Sequence, residues 1–339
     1  MSYQAIRLER FSSSFRAAAD LVSLPLREPG PDEIRVRNGW CGVNGIFDTQ
    51  IARNAVDYVA IRPPVFTGVE AIGVVEAVGS RVEGFAVGDA AATVRFGGGY
   101  REANVGPASQ FAKVPAAEPA WLALASTGVS ALLALDMGEA KAGDTVAVSA
   151  AAGGLGHFIV QLARLRGCRV VAVCGGRRKS ALARVLGADR VIDHRAETVG
   201  EVLADEFRDR LDVAIDTVGG GIFDAFVDNL AVHGRLVAAG AASDLDGRPE
   251  VVTAPRIVHK LYYKGASIRG FMNGLLTDRW PAARAELFEL HAKGDLRVVF
   301  DDQVFDGLPR VYDAVEHLLS GQSMGKVIVN LNPGGNTAH

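Results

Sequence analysis

A strand that runs into a glycine-rich turn and straight on into a helix constrains this 339-residue chain more than any other feature. Thr145–Ala150 is apolar and β-prone, Ala151-Ala152-Gly153-Gly154-Leu155-Gly156 follows, and Gly154–Leu165 has amphipathic helical spacing. Glycines permit the tight turn and let the backbone approach a pyrophosphate closely, while the helix opening offers free N–H groups and a favourable dipole. A glycine-rich turn without a ligand would satisfy the string alone. The context favours the phosphate reading, because this unit opens a regular alternation of strands and helices. Further strands are expected at Arg169–Cys174, Arg190–Asp193, Asp212–Asp216, Arg235–Ala239 and Ser267–Phe271, with helices such as Lys179–Leu186 and Phe223–Leu230 between them. Alternation of this kind predicts a parallel sheet covered on both faces. Six strands complete a dinucleotide-binding sheet.

The charges after the second strand indicate which dinucleotide. An NAD site places Asp or Glu about 20 residues past the glycines, on the ribose 2′-hydroxyl. Here no acidic residue occurs between Asp144 and Asp189, and the second strand ends in Cys174-Gly175-Gly176-Arg177-Arg178-Lys179. Guanidinium and ammonium groups in place of a carboxylate suit a 2′-phosphate. At roughly 1.5–3 kcal/mol per charge-assisted hydrogen bond, one good arginine contact gives about 10- to 100-fold preference for NADPH. A solvated basic turn is the plainer alternative, and the helix dipole would mildly disfavour it.

The remainder of the chain has a different texture. Before Trp121 the segments are short and β-rich, as at Glu33–Arg37 and Ile72–Val78; Trp121–Asp136 is a helical pattern that leads into the alternating region. After it, helices are expected at Trp280–Lys293 and Tyr312–Ser320, and strands at Val298–Val304 and Lys326–Leu331 that return to the first region. With 36 basic against 39 acidic residues there is no global field for nucleic acid or an anionic membrane. No uninterrupted apolar run reaches about 18 residues, so no transmembrane helix is expected. Arg7, Glu9 and Arg10 stand where a signal peptide would place its apolar core, which points to the cytoplasm. Cys41, Cys168 and Cys174 lack disulfide or metal spacing, and no two histidines share one helix turn as His-x-x-x-His.

Cys41-Gly42-Val43-Asn44, Thr67–Gly79, Val87-Gly88-Asp89, Ser126–Ala131, the glycine loop, Leu186–Asp189 and Asp216–Gly220 together resemble the medium-chain dehydrogenase/reductase superfamily along nearly the whole chain. Within it, the chain resembles the zinc-free quinone oxidoreductase-like group. Lys264–Phe271 and Met324–Val329 are similar to the branch that contains the 15-oxoprostaglandin 13-reductases. The resemblance implies an α/β fold with a Rossmann doubly wound parallel sheet over residues 122–294 and a mostly β GroES-like substrate domain from residues 1–121 and 295–339. It implies NADPH in the cleft and no zinc. Asn44 stands where zinc-dependent relatives have Cys, and Gly68-Val69-Glu70 where they have Gly-His-Glu, so Glu70 would be left without its partner ligands. It also implies a homodimer through the sixth Rossmann strand.

Without a Lewis acid, reduction of a polarised C=C is the easier chemistry: hydride reaches the β-carbon, and a hydrogen-bond donor must stabilise the enolate oxygen. Candidate donors are Asn44, Tyr58 and a tyrosine of Tyr262-Tyr263. Each has a plainer reading: an Asx turn beside Gly45, a surface loop, and packing of an amphipathic helix. The expected cofactor contacts are Asn44, Thr127, Ala152, Gly153, Gly154, Leu155, Gly156, Gly176, Arg177, Lys179, His194, Val218, Gly240, Ala241, Phe271 and Met272. Thr127, with Ser130, is set at the start of a helix, where capping is its alternative role. Phe271 and Met272 would line an apolar substrate wall or meet a second subunit, and Tyr58 and Tyr262 are the other expected substrate contacts. Asp48 lies one residue beyond the family's usual spacing from Asn44. The reaction expected is NADPH-dependent reduction of α,β-unsaturated ketones or aldehydes. NADPH:quinone reduction is the second reading, and an NADPH-binding protein without turnover the third.

Overall fold

The computed structural model describes residues 1–56, 60–244 and 251–332. The chain forms two compact units, Met1–Ser126 with the chain from Phe300 onward, and Thr127–Val299.

In the first unit, β1 (Ser2–Leu8) lies between β2 (Ala19–Pro25) and β4 (Val65–Phe66). A second antiparallel sheet is built on the long β3 (Glu33–Gly42). One edge of β3 pairs with β5 (Glu70–Val78), which continues through β6 (Ala90–Val94) to β8 (Phe111–Lys113). The other edge is shared: β7 (Ala103–Pro107) takes Glu33–Arg37, and β15 (Ile328–Asn330) takes Trp40–Gly42. Ile6, Leu8, Phe15, Tyr100, Phe305, Val311 and Val329 form one core. Each such side chain contributes roughly 1.5–3 kcal/mol on full burial.

In the second unit all ladders are parallel. The strands are β9 (Thr145–Val148), β10 (Arg169–Cys174), β11 (Arg190–Asp193), β12 (Leu211–Asp216), β13 (Leu230–Ala238) and β14 (Ser267–Gly270), in the order β11-β10-β9-β12-β13-β14. This is the 3-2-1-4-5-6 order of a doubly wound dinucleotide fold, whose switch point falls between β9 and β12. Val171, Val173, Ile192 and Leu236 of the sheet pack with Phe207 and Phe226 into one core.

Four expectations need correction. The strand expected at Val298–Val304 is reduced to one bridge, Phe300 with Lys326. Asp301 turns the chain there, because its carboxylate accepts the N–H groups of Gln303 at 2.9 Å and Met324 at 2.7 Å and so competes with a ladder. The last strand is confined to β15, and β9 ends early, since Ala150 takes φ 45°. Thr127 does not open a helix. It lies inside a helical run, Pro119–Met137, in a single wider π-type turn at Leu124–Gly128. That run is long and apolar enough to cross a membrane by length and composition, although its apolar residues are separated by Ser, Thr and Asp; 67% of its most apolar window is buried, as in a core helix.

Candidate active site

Parallel strands bring their carboxyl ends to one edge, so the turns after β9, β10, β11, β12, β13 and β14 gather there. The turn after β9 is held closed by Gly153 N–H donating to Ala150 O at 2.8 Å and by Ala151 N–H donating to Val173 O at 3.0 Å. At Gly156, which opens the helix Gly156–Leu165, a Cβ would lie 2.3 Å from Ala150 O. Only glycine lets the helix sit this close to the turn.

Asp216, buried at the end of β12, organises the neighbouring turn. Its carboxylate accepts the Ser149 hydroxyl at 2.6 Å and the N–H groups of Val218 and Gly219 at 3.0 and 2.9 Å. Thr217 N–H returns to Ser149 Oγ at 2.8 Å. The segment after β13 lies over this turn, with Ser243 N–H on Val218 O at 2.7 Å. Gly240 is pressed so closely to it that a Cβ would stand 2.8 Å from Thr217 O. Ala152, Gly153, Gly154, Leu155 and Gly156 after β9 and Val218 after β12 therefore flank the switch point, and Gly240 and Ala241 after β13 lie over the second of these turns.

At the end of β10, Gly176 caps the helix Arg177–Val185, which places Arg177, Arg178 and Lys179 in its first turn. The positive end of a helix dipole and the three cations placed there both favour an added anion. A fourth, absent from the sequence expectations, is Arg195: its Nη1 lies 3.4 Å from where a Cβ on Gly176 would stand. The His194 imidazole lies against Gly175, with Nε2 2.6 Å from the corresponding Cβ position. Asp193 is also close, but its carboxylate is engaged by the N–H groups of Gly176 at 2.7 Å and Arg195 at 3.1 Å. Those bonds hold its pKa below the ordinary carboxylate value. Small residues at the turns, helix openings beside them and a basic cluster after the second strand fit a dinucleotide bearing a 2′-phosphate.

Phe271 N–H continues the ladder to Ala238 O at 2.9 Å, leaving Phe271 half-buried and Met272 exposed at the same edge. Asn273 then donates to Ser130 Oγ at 2.8 Å and accepts from the Trp280 indole at 2.8 Å. Tyr262 and Tyr263 do not pack as an amphipathic helix would: they are 77% and 80% exposed and meet each other edge to face. Elsewhere in this unit, His157 and Gln161 form an anchor that sequence alone did not reveal. Val299 N–H donates to His157 Nε2 at 3.2 Å, which leaves Nδ1–H to donate to Gly153 O at 3.0 Å. Gln161 exchanges two hydrogen bonds with the backbone of Arg297.

In the other unit, Asn44 ends β3's extension and precedes the helix Gly45–Ala52. Its Nδ2 donates to Glu70 Oε1 at 2.8 Å, and its Oδ1 accepts from Lys326 Nζ at 3.3 Å. Glu70 and Lys326 form an ion pair with both side chains buried. Asp48, in the same helix, accepts the Tyr100 hydroxyl; burial pushes its carboxyl up to about 7. Burial, with Glu70 and Asp48 nearby, raises the Cys41 thiol, so this cysteine is an inert strand residue. Tyr58 lies outside the described residues.

Comparison with known proteins agrees with this architecture. The alcohol dehydrogenase GroES-like domain family matches residues 30–116, and the zinc-binding dehydrogenase family matches residues 154–289. The chain is 35% identical to prostaglandin reductase-3 of Mus musculus, over 97% of this chain and 89% of the relative. It belongs to the medium-chain dehydrogenase/reductase superfamily. A quinone oxidoreductase of Pseudomonas aeruginosa is 32% identical over 80% of this chain and 83% of its own length. Among solved structures, Escherichia coli quinone oxidoreductase complexed with NADPH superposes with a TM-score of 0.82 at 26% identity, covering 96% of this chain and 99% of that one. A match of this extent places the chain in an oxidoreductase family with both of its units represented.

Proposed function

We propose that this chain is an NADPH-dependent reductase of the C=C bond in α,β-unsaturated ketones or aldehydes. The observation that carries the cofactor choice is the cation cluster of Arg177, Lys179 and Arg195 around Gly176, where an NAD-type site would present a carboxylate. The turns at Ala152–Gly156, Val218 and Gly240-Ala241 would hold the pyrophosphate and nicotinamide ribose through backbone groups, with His194 beside the adenosine end. Thr127, Phe271 and Met272 are assigned to the nicotinamide end on the superfamily likeness. When bound, the reduced nicotinamide supplies a hydride to the β-carbon.

The chain's own contribution is orientation and one donor. The Asn44 side-chain amide uses one Nδ2–H on Glu70 and makes no other donor bond among the described residues. Its second N–H is a neutral donor for the substrate's carbonyl oxygen, whose negative charge grows as the β-carbon is reduced. Tyr58 is the alternative donor, on the likeness alone. Phe271 and Met272 give an apolar wall suited to a lipophilic enone. The relative named prostaglandin reductase-3 favours a C=C acceptor, and the one named quinone oxidoreductase favours the second reading, a quinone.

A homodimer is proposed through β14, the strand at the sheet edge, with Val258, Tyr262 and Tyr263 exposed in the segment that leads into it. The test of function follows NADPH absorbance with matched enones, enals and quinones, with NADH in parallel. Saturable, NADPH-selective oxidation that yields the saturated ketone supports the proposal. Turnover with quinones alone replaces it by the second reading, and tight NADPH binding with no turnover on any acceptor removes both.

A further inference from the structure

The Glu70–Lys326 pair is an odd thing to bury. Both side chains are essentially inaccessible, at 0% and 3% exposure. Glu70 Oε2 is buried without a hydrogen-bond partner, so the carboxylate is only half satisfied. A buried ion pair with an unsatisfied oxygen contributes little to stability compared with apolar residues of the same volume. What it does accomplish is local. The Lys326 ammonium donates to Val43 O at 3.0 Å, to Asn44 Oδ1 at 3.3 Å and to Glu70 Oε1, while Asn44 Nδ2 donates to that same carboxylate oxygen at 2.8 Å. Both ends of the Asn44 amide are thereby held, one by a cation and one by an anion. The reverse orientation of the amide would set NH₂ against NH₃⁺ and a carbonyl against a carboxylate. Backbone geometry is adapted to the same arrangement, since a Cβ on Gly42 would lie 2.5 Å from Glu70 Oε1.

We infer that Lys326 and Glu70 are positioning residues for the reaction, fixing the Asn44 amide in one orientation and, through the ammonium on its oxygen, making the remaining Nδ2–H a stronger donor to the substrate oxygen. The physical basis of the second part is amide resonance: a cation on the carbonyl oxygen draws density from nitrogen and polarises its N–H, as cooperative hydrogen-bond chains do. The ion pair is thus the fixed electrostatic support behind a neutral donor. This inference rests on the reading of Asn44 as that donor.

The test measures kcat for enone reduction per NADPH-binding site, together with NADPH Kd, in N44A, K326M, the neutral pair E70Q/K326M, and each of the latter two combined with N44A. The neutral pair guards against misfolding, because K326M alone leaves a bare buried carboxylate. N44A is expected to lower kcat about 100-fold, as loss of an oxyanion donor does. K326M and the neutral pair are expected to lower kcat about tenfold, the low end for a hydrogen bond assisted by a charge, with NADPH Kd unchanged and little further loss in the N44A background. Unchanged kcat in the folded neutral pair, or losses that simply multiply with that of N44A, would overturn the positioning role. If N44A itself keeps full kcat, the donor assignment fails first, and the inference falls with it.

Discussion

Arg195 illustrates what a single side chain adds to the cofactor site. The sequence displays Arg177 and Lys179 because they directly follow the second strand, whereas Arg195 follows the third and reaches Gly176 only through the parallel ladder of β10 with β11. Arg177→Ala and Arg195→Ala should each lower kcat/KM for NADPH by about 10- to 100-fold and leave that for NADH nearly unchanged; equal losses with both cofactors would show that neither guanidinium reads the 2′-phosphate. In the sequence Lys326 shows only as part of Met324–Val329 and as the start of the strand expected at Lys326–Leu331. Its partner Glu70 is 256 residues away in the chain, and no local pattern encodes a pair at that separation. Asp48 makes a prediction about pH. Its folded pKa, about 7, is raised by burial above the ordinary carboxylate value. Its contribution to stability is therefore complete below about pH 4 and is lost as pH rises through its folded pKa, because the unfolded chain ionises first. Urea melts at pH 4 and pH 7 should show wild type losing stability relative to D48N over that interval. A constant difference between the two would mean that Asp48 is not buried in its neutral form.

At the scale of elements, the turns were more legible than the ends of strands. The inner strands β9, β10 and β12 fall on largely apolar runs, because burial on both faces leaves a hydrophobic signature, whereas the edge strands β11 and β14 carry Arg, Asp and Ser. The misread segment, Val298–Val304, has enough Val and Phe for a strand, but Asp301 diverts the backbone through side-chain bonds that composition does not show. The wider turn at Leu124–Gly128 was also invisible, since π-type turns have no period of their own. The glycine turn offers a direct check. Gly156→Ala must move a backbone carbonyl, so NADPH affinity should fall about tenfold or more, that is, by at least about 1.4 kcal/mol, measured by fluorescence titration; unchanged affinity would mean that the turn yields more easily than its geometry allows. Gln161→Ala leaves the N–H and C=O of Arg297 unpartnered, and a loss of about 1–3 kcal/mol is expected in chemical denaturation. A smaller effect would indicate that water replaces the amide.

For the whole molecule, the sheet order, the basic cluster and the relatives agree on an NADPH oxidoreductase built from two compact units. Domain class was readable because alternation and glycine spacing are local signals, while the acceptor was not, because one scaffold serves many substrates. Assembly can be tested alone: light scattering should give twice the chain mass, and replacing Tyr262 and Tyr263 by Glu should return a monomer. A wild-type monomer would leave the exposed edge of β14 without its proposed partner. The central claim is hydride delivery to carbon, and the most direct measurement is product analysis after turnover of an enone with 4-deuterated NADPH. The expected product is a saturated ketone carrying deuterium at the β-carbon, formed with NADPH far faster than with NADH. NADPH consumption that leaves the enone intact, or deuterium found on the carbinol carbon of an allylic alcohol, would contradict it.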